Sequence, residues 1–165
     1  MARIPETNKR FRTKAQLVHD LAFILKSEDL AYGTKYAVFK DVSWVWTEFE
    51  GKYDGCRRWS KAAKLMKESD PKTKLLRHEH AVPRNVVFKM LMKLKHPSEK
   101  SVRRICRKFL LGVVVTKEED MELNRRFAST MPEDFGKTGS KDYRNPWSRY
   151  RECGIELVSP CEDPE

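Results

Sequence analysis

Arg77-His78-Glu79-His80-Ala81-Val82-Pro83 and, some thirty residues later, Val113-Val114-Val115-Thr116-Lys117-Glu118-Glu119-Asp120-Met121-Glu122-Leu123-Asn124 decide the fold. Pro83 has no amide proton to give to a sheet ladder, so the first stretch reads as a short extended edge that ends there. The second opens as a buried-type apolar strand and becomes a helix at Thr116. The Thr116 hydroxyl can cap that helix, while Glu118, Glu119 and Asp120 in its first turn complement the positive end of the dipole. Two of the four histidines, His78 and His80, fall within three positions of the first stretch. Two strands and a helix in a chain otherwise patterned for helices predict an α+β fold, mostly helical, around a small two-stranded element.

Between the two stretches, Val86, Val87, Met90, Leu91 and Leu94 describe one amphipathic helix. Pro97-Ser98 opens another, with Val102, Ile105, Cys106, Phe109 and Leu110 on one stripe and Gly112 read as its end. Upstream, Leu17, Val18, Leu21, Ile24 and Leu25 predict a helix from an N-cap at Thr13 to Lys26, with His19 and Asp20 beside the stripe. After a break at Gly33, the segment Tyr36 to Phe49 collects Val38, Phe39, Val42, Trp44, Val45 and Trp46 and reads as the aromatic core-former. A turn over 50–55 leads to a further helix over Arg58 to Met66, with Trp59, Ala62, Ala63 and Met66 on one face.

The polar, proline-broken segment Glu68 to Lys74 is the natural seam. It separates a helical region, 1–70, from a region, 71–165, that carries the strands, a basic two-helix insertion and a loop-rich extension. Both are expected to pack as one compact unit, since 165 residues suit a single domain of ~100–150 residues with trimmings. Residues 1–10 read as frayed, with order beginning near Phe11 or Thr13. From Ser129 onward prolines and glycines predict loops, with one short helix from Pro146 to Cys153 that packs Trp147 and Tyr150 onto the core. The terminal Glu162-Asp163-Pro164-Glu165 reads as a solvated tail.

A content of 39% apolar and 35% charged residues excludes a disordered chain. The net charge of +10 and pI near 9.5 favour a polyanion, because neutralising phosphates releases counterions. Between Arg84 and Lys108 nine basic residues face one acid, Glu99. Such a run is commonly a solvated helix face, but the repulsion is costly unless something anionic relieves it. Arg77, Arg84, Lys89, Lys93, Arg103, Arg104, Arg107 and Lys108 are therefore candidate contacts to nucleic acid, DNA ahead of RNA. Arg144, Arg149 and Arg151 would extend that basic surface. An acidic protein partner is the alternative.

Cys56, Cys106, Cys153 and Cys161 show no CxxC and no close Cys/His pairing, which argues against structural zinc and for reduced thiols, Cys153 and Cys161 being the one near pair. The N-terminus offers no secretory h-region, and no run reaches the ~18 apolar residues of a membrane span. A cytoplasmic protein is the expectation. Asp41, Glu50 and Lys52 mimic an Asp…Glu-x-Lys nuclease pattern, but a glycine-bearing turn accounts for that segment.

The acid-His-x-x-Pro signature of Glu79, His80 and Pro83, followed by a Val-Val-Thr strand that runs into a helix with Asp120 and Asn124 four apart, resembles the HNH, or ββα-metal, nucleases, most of all the colicin-type DNases. The resemblance covers roughly residues 75–127. It implies a ββα-metal element, with His80 as the general base that activates water and Glu79, Asp120 and Asn124 as ligands of a divalent cation. Two carboxylates and an amide oxygen are hard ligands, so magnesium or manganese is expected ahead of nickel or zinc. His78, two residues from His80, would be an accessory ligand or phosphate contact, or an ordinary edge histidine. The implied activity is metal-dependent endonucleolytic cleavage of DNA. The alternative is a non-catalytic nucleic-acid-binding, protein-interaction or inhibitor protein on the same scaffold. The family's central asparagine has no counterpart from Val86 to Leu123, Asn85 being the nearest.

Overall fold

A computed structural model describes residues 12–158. The N-terminal segment through Phe11, Cys161 and the acidic tail, for which the sequence predicts a frayed end, a near cysteine pair and a solvated terminus, lie outside the described residues. The fold is mixed α+β, predominantly helical with one two-stranded antiparallel sheet.

Helix α1 (Lys14–Lys26) starts after Thr13, the N-cap expected from the sequence, and Thr13 and Gln16 form a reciprocal capping box there. Helix α2 (Tyr32–Thr47) begins earlier than expected. Gly33 lies in its first turn rather than breaking the chain. Helix α3 (Lys61–Ser69) begins later than expected, because the Ser60 hydroxyl accepts from Ala63 N–H at 3.0 Å and fixes the start there. Arg58 and Trp59 consequently precede the helix, Trp59 bridging to Val114 and Ser60 to Leu157.

Strand β1 (Leu76–His80) leads through Pro83 into α4 (Arg84–Met92), then α5 (Glu99–Phe109), strand β2 (Gly112–Thr116) and α6 (Lys117–Phe127). Capping boxes at Ser98/Ser101 and Thr116/Glu119 set the starts of α5 and α6. A short 3-10 turn at Glu133–Gly136 and helix α7 (Ser148–Glu152) complete the described chain, and Gly154 closes α7 with φ +67°.

The main core is enclosed by α1, α2, α4 and α5, with Leu17, Leu21, Phe39, Val42, Phe88, Leu91, Val102 and Phe109 buried together. It draws on residues from both sides of the 68–74 seam. Each fully buried side chain of this kind contributes roughly 1.5–3 kcal/mol. No helix among the described residues is long and apolar enough to cross a membrane.

The antiparallel register pairs His78 with Val114, Glu79 with Val113 and His80 with Gly112. Side chains alternate across the strand, so the two faces carry different chemistry. Val113 and Val115 pack with Leu123 of α6 and Tyr150 of α7, which puts Arg77 and Glu79 on that side. Leu76 and Val114 pack with Ala63 of α3. His78 and His80 share this second face, toward the C-terminal end of α2.

Gly112 does not end a helix. It sits in β2, and a Cβ placed there would fall 2.7 Å from His78 Cε1 and closer still to Nε2. The His78 side chain is 1% exposed and has no room to retreat. Gly112→Ala is thus expected to lower stability by about 1–3 kcal/mol, the usual cost of overpacking. Urea denaturation checks this, and a second substitution, His78→Ala, should restore part of the loss; no loss in Gly112→Ala would contradict this account of the glycine.

Candidate nucleic-acid interface

His80 lies at the end of β1 with Nε2 3.4 Å from Thr47 Oγ1, and its ring centroid is 6.1 Å from that of His78. Burial, reinforced by the charges of Arg84, His78 and Arg149, drives the His80 pKa down to about 3. Burial likewise lowers the pKa of His78, while Glu48, 3.7 Å from its Nδ1, pulls the other way. Both imidazoles are therefore neutral in the folded protein near pH 7. A base held so far below neutrality is a weak proton acceptor, since general-base efficiency is highest when the pKa lies near the working pH. His78 Nε2 is buried with no hydrogen-bond partner, although the Thr47 carbonyl lies close by.

The lowered pKa values have a consequence for acid stability. The unfolded chain takes up a proton on His80 below about pH 6.5, whereas the folded chain does not until about pH 3, so stability falls as the pH drops through that window. The loss attributable to His80 should reach about 2 kcal/mol by pH 5. Urea midpoints at pH 7.5 and 5.0 measure it, and His80→Gln should flatten the difference; an equal drop in the variant would place the titration elsewhere.

Glu79 points to the opposite face. Its Oε1 lies 2.5 Å from Arg149 Nη2, and its Oε2 accepts from the His80 N–H at 2.8 Å. Arg149 is fully buried and also donates to the carbonyls of His80 (2.8 Å), Phe127 (2.8 Å) and Ala81 (3.3 Å). The sequence assigns Arg149 to the basic surface; it is instead an internal clamp that ties β1, the end of α6 and α7 together. Tyr150, beside it, is fully buried with an unpartnered hydroxyl, and its pKa is raised well above 10 by burial and then by the Glu79 charge.

Asp120 and Asn124 lie on α6, and the Asn124 amide donates to Asp120 Oδ1 at 3.1 Å. No bond joins that pair to Glu79, whose oxygens are engaged by Arg149 and the His80 amide. His80 faces α2 on the far side of the sheet from α6. The strand–strand–helix order of the resemblance is thus present, but the structure does not bring the proposed base and the proposed helix ligands together. Among the described residues, no group of three or more His, Cys, Asp or Glu is placed to hold a metal ion. Asn85 is occupied as well, donating to the Ser129 carbonyl at 2.8 Å.

The basic residues divide. Arg84, Lys89, Lys93, Arg104 and Lys108 are exposed, and Arg77 turns back onto the carbonyls of Lys74 and Leu76. Arg103 and Arg107, one turn apart on α5, line a groove of about 440 Å³ with Lys14, Arg57, Arg58 and Glu50. Among the described residues, five cations thus face one acid. The acid is committed to Arg57 at 3.4 Å, and the Arg58 guanidinium sits 6.0 Å from the Trp147 ring. The Lys14 ammonium lies over Phe49 (5.1 Å) and Trp46 (5.6 Å), which line one wall. Thr47, the neighbour of His80, and Gly112, the neighbour of His78, reach the floor.

Sequence reasoning finds Arg103 and Arg107 but misses Lys14, Arg57 and Arg58. The available signal is the pair Arg57-Arg58 directly before Trp59, in a stretch that reads as the start of a helix although the helix begins at Lys61. Compared with protein-family profiles, curated proteins and solved structures, the chain finds no match in any of the three.

Proposed function

We propose that the protein binds nucleic acid, with DNA the expected partner, and that the groove of Lys14, Arg57, Arg58, Arg103 and Arg107 grips the phosphate backbone. The observation that carries this reading is the convergence of five cations from α1, the 55–58 loop and α5 on one cavity with a single acid among the described residues. Arginine forks suit phosphate oxygens, which accept two parallel N–H bonds from one guanidinium. Such contacts position a backbone without reading its sequence. The missing counterpart of the orienting asparagine and the engagement of Glu79 by Arg149 favour binding over turnover.

A second reading, metal-dependent phosphodiester cleavage with His80 as base, keeps one observation in its favour: His80 touches Thr47, which lines the groove. One experiment separates the two. Fluorescence anisotropy of a labelled duplex is run across salt, beside plasmid nicking in EDTA, Mg²⁺, Mn²⁺, Ni²⁺ and Zn²⁺ with wild type and His80→Ala. The binding reading expects salt-sensitive affinity and no nicking with any metal. Metal-dependent nicking that disappears in His80→Ala would establish the second reading, and absence of binding at low salt would sink both.

A further inference from the structure

Val158, the last described residue, is hydrogen-bonded to the segment that carries two cations of the basic groove. Ser60 and Leu157 form an antiparallel bridge, in which the Lys61 N–H donates to the Glu156 carbonyl at 2.8 Å and the Val158 N–H to the Trp59 carbonyl at 2.9 Å. The register thus sets Leu157 opposite Ser60 and Val158 opposite Trp59. Both sides are anchored. Leu157 packs on the cluster of Val113, Val115 and Tyr150, and the Val114 N–H donates to the Arg58 carbonyl at 2.9 Å. The chain therefore reaches Val158 heading toward Arg58 and Arg57, which line the groove.

Continued by two residues, the same register would set Ser159 opposite Arg58 and Pro160 opposite Arg57. Pro160 has no amide proton to donate, so a ladder in that register would stop at the edge of the groove. Glu162, Asp163 and Glu165 follow, three acids with no basic residue anywhere in 159–165. At about 3.3 Å per extended residue, Glu162 can reach roughly 13 Å from Val158 and Glu165 roughly 23 Å. The groove presents Lys14, Arg57, Arg58, Arg103 and Arg107 against Glu50, which is already paired with Arg57. Carboxylate oxygens accept the same paired N–H bonds from a guanidinium fork as phosphate oxygens do.

We propose that the acidic segment 159–165 docks in the basic groove of its own chain, where its carboxylates compete with nucleic-acid phosphates for the groove arginines. The competition rests on the nucleic-acid reading of the groove; the docking does not. A short segment joined to the fold at Val158 is held near the groove at an effective concentration of the order of millimolar, so ion pairs that are weak singly can together fill it. A groove left open one tenth of the time binds its ligand about tenfold more weakly. Occupancy by an anion also relieves the repulsion between Arg103 and Arg107, one turn apart on α5.

The test compares the full chain with the triple variant Glu162→Gln/Asp163→Asn/Glu165→Gln. A charge-matched control, Glu28→Gln/Asp29→Asn/Glu118→Gln, alters exposed acids that do not line the groove. Amide spectra of the ¹⁵N-labelled proteins are recorded without nucleic acid at low salt, and duplex affinity is measured by fluorescence anisotropy. In the triple variant the amides of Lys14, residues 55–58 and residues 103–107 should shift from their wild-type positions, and DNA affinity should rise about tenfold. The control should leave those amides in place and raise affinity only a few-fold, as distant screened charges do. Groove shifts with no DNA binding by any of the proteins would uphold the docking and overturn the nucleic-acid reading. Unmoved groove amides would overturn the proposal while DNA binding could still stand, and equal affinity gains in the triple variant and the control would reduce the competition to net charge. Shift differences that fade on dilution would place the segment in the groove of a second copy and overturn docking within one chain.

Discussion

Replacing Arg149 by methionine is expected to destabilise the protein by about 3–5 kcal/mol, the usual result of removing one partner of a buried ion pair. Arg149 is fully buried and its guanidinium donates to Glu79 Oε1, so the substitution leaves a largely buried carboxylate without its cation. Three carbonyls, those of His80, Ala81 and Phe127, lose their donor at the same time. Arg149→Lys should recover little, because an ammonium cannot reach four acceptors spread around a planar fork. The double variant Glu79→Leu/Arg149→Met should regain part of the loss by removing the stranded charge, though not the carbonyl deficit. Urea denaturation decides the matter: a single variant within about 1 kcal/mol of wild type would show that the pair is not an internal clamp. For the same reason a Glu79 variant reports on folding before it reports on chemistry, and lost activity there would not by itself identify a metal ligand.

Reversing two groove charges, Arg103→Glu with Arg107→Glu, is expected to weaken DNA binding by about a hundredfold or more at low salt, since charged hydrogen bonds are worth about 1.5–3 kcal/mol each. It should also flatten the dependence of log K on log salt by about 0.9 for each phosphate that is no longer neutralised. The matched control is Arg104→Glu with Lys108→Glu. These residues belong to the same helix and change the net charge equally, but neither lines the groove. If net charge alone drives binding, the two double variants will be indistinguishable. If the groove holds the backbone, the control will lose only a few-fold, as expected of distant screened charges.

Much of the fold is legible in the sequence because its signals are local. The starts of α1, α5 and α6 are readable from Thr13, Ser98 and Thr116, and the structure adds a partner three residues on for each, Gln16, Ser101 and Glu119. Gly112 misleads for the same reason. A glycine after an apolar helix reads locally as a stop, whereas the demand for it comes from His78 across the sheet. Arg149 misleads because its partner is 70 residues away, and nothing in Ser148-Arg149-Tyr150-Arg151 distinguishes the buried arginine from the exposed one.

The candidate site divides along the same line. Adjacent positions Glu79 and His80 read as one catalytic unit in sequence, yet strand alternation sends them to opposite faces. The groove is not readable from the basic run alone, since Lys14, Arg57 and Arg58 join Arg103 and Arg107 only through tertiary packing of α1 against α5 and of the 55–58 loop beneath them.

The central claim, that this groove holds nucleic acid, is tested most directly by mapping the amide shifts of the ¹⁵N-labelled chain on titration with a short DNA duplex at low salt. Shifts gathered at Lys14, residues 55–58 and residues 103–112 are the predicted result. Shifts confined to Lys89 of α4 and to Lys93 and Lys95 after it, or no shifts at all, would contradict it.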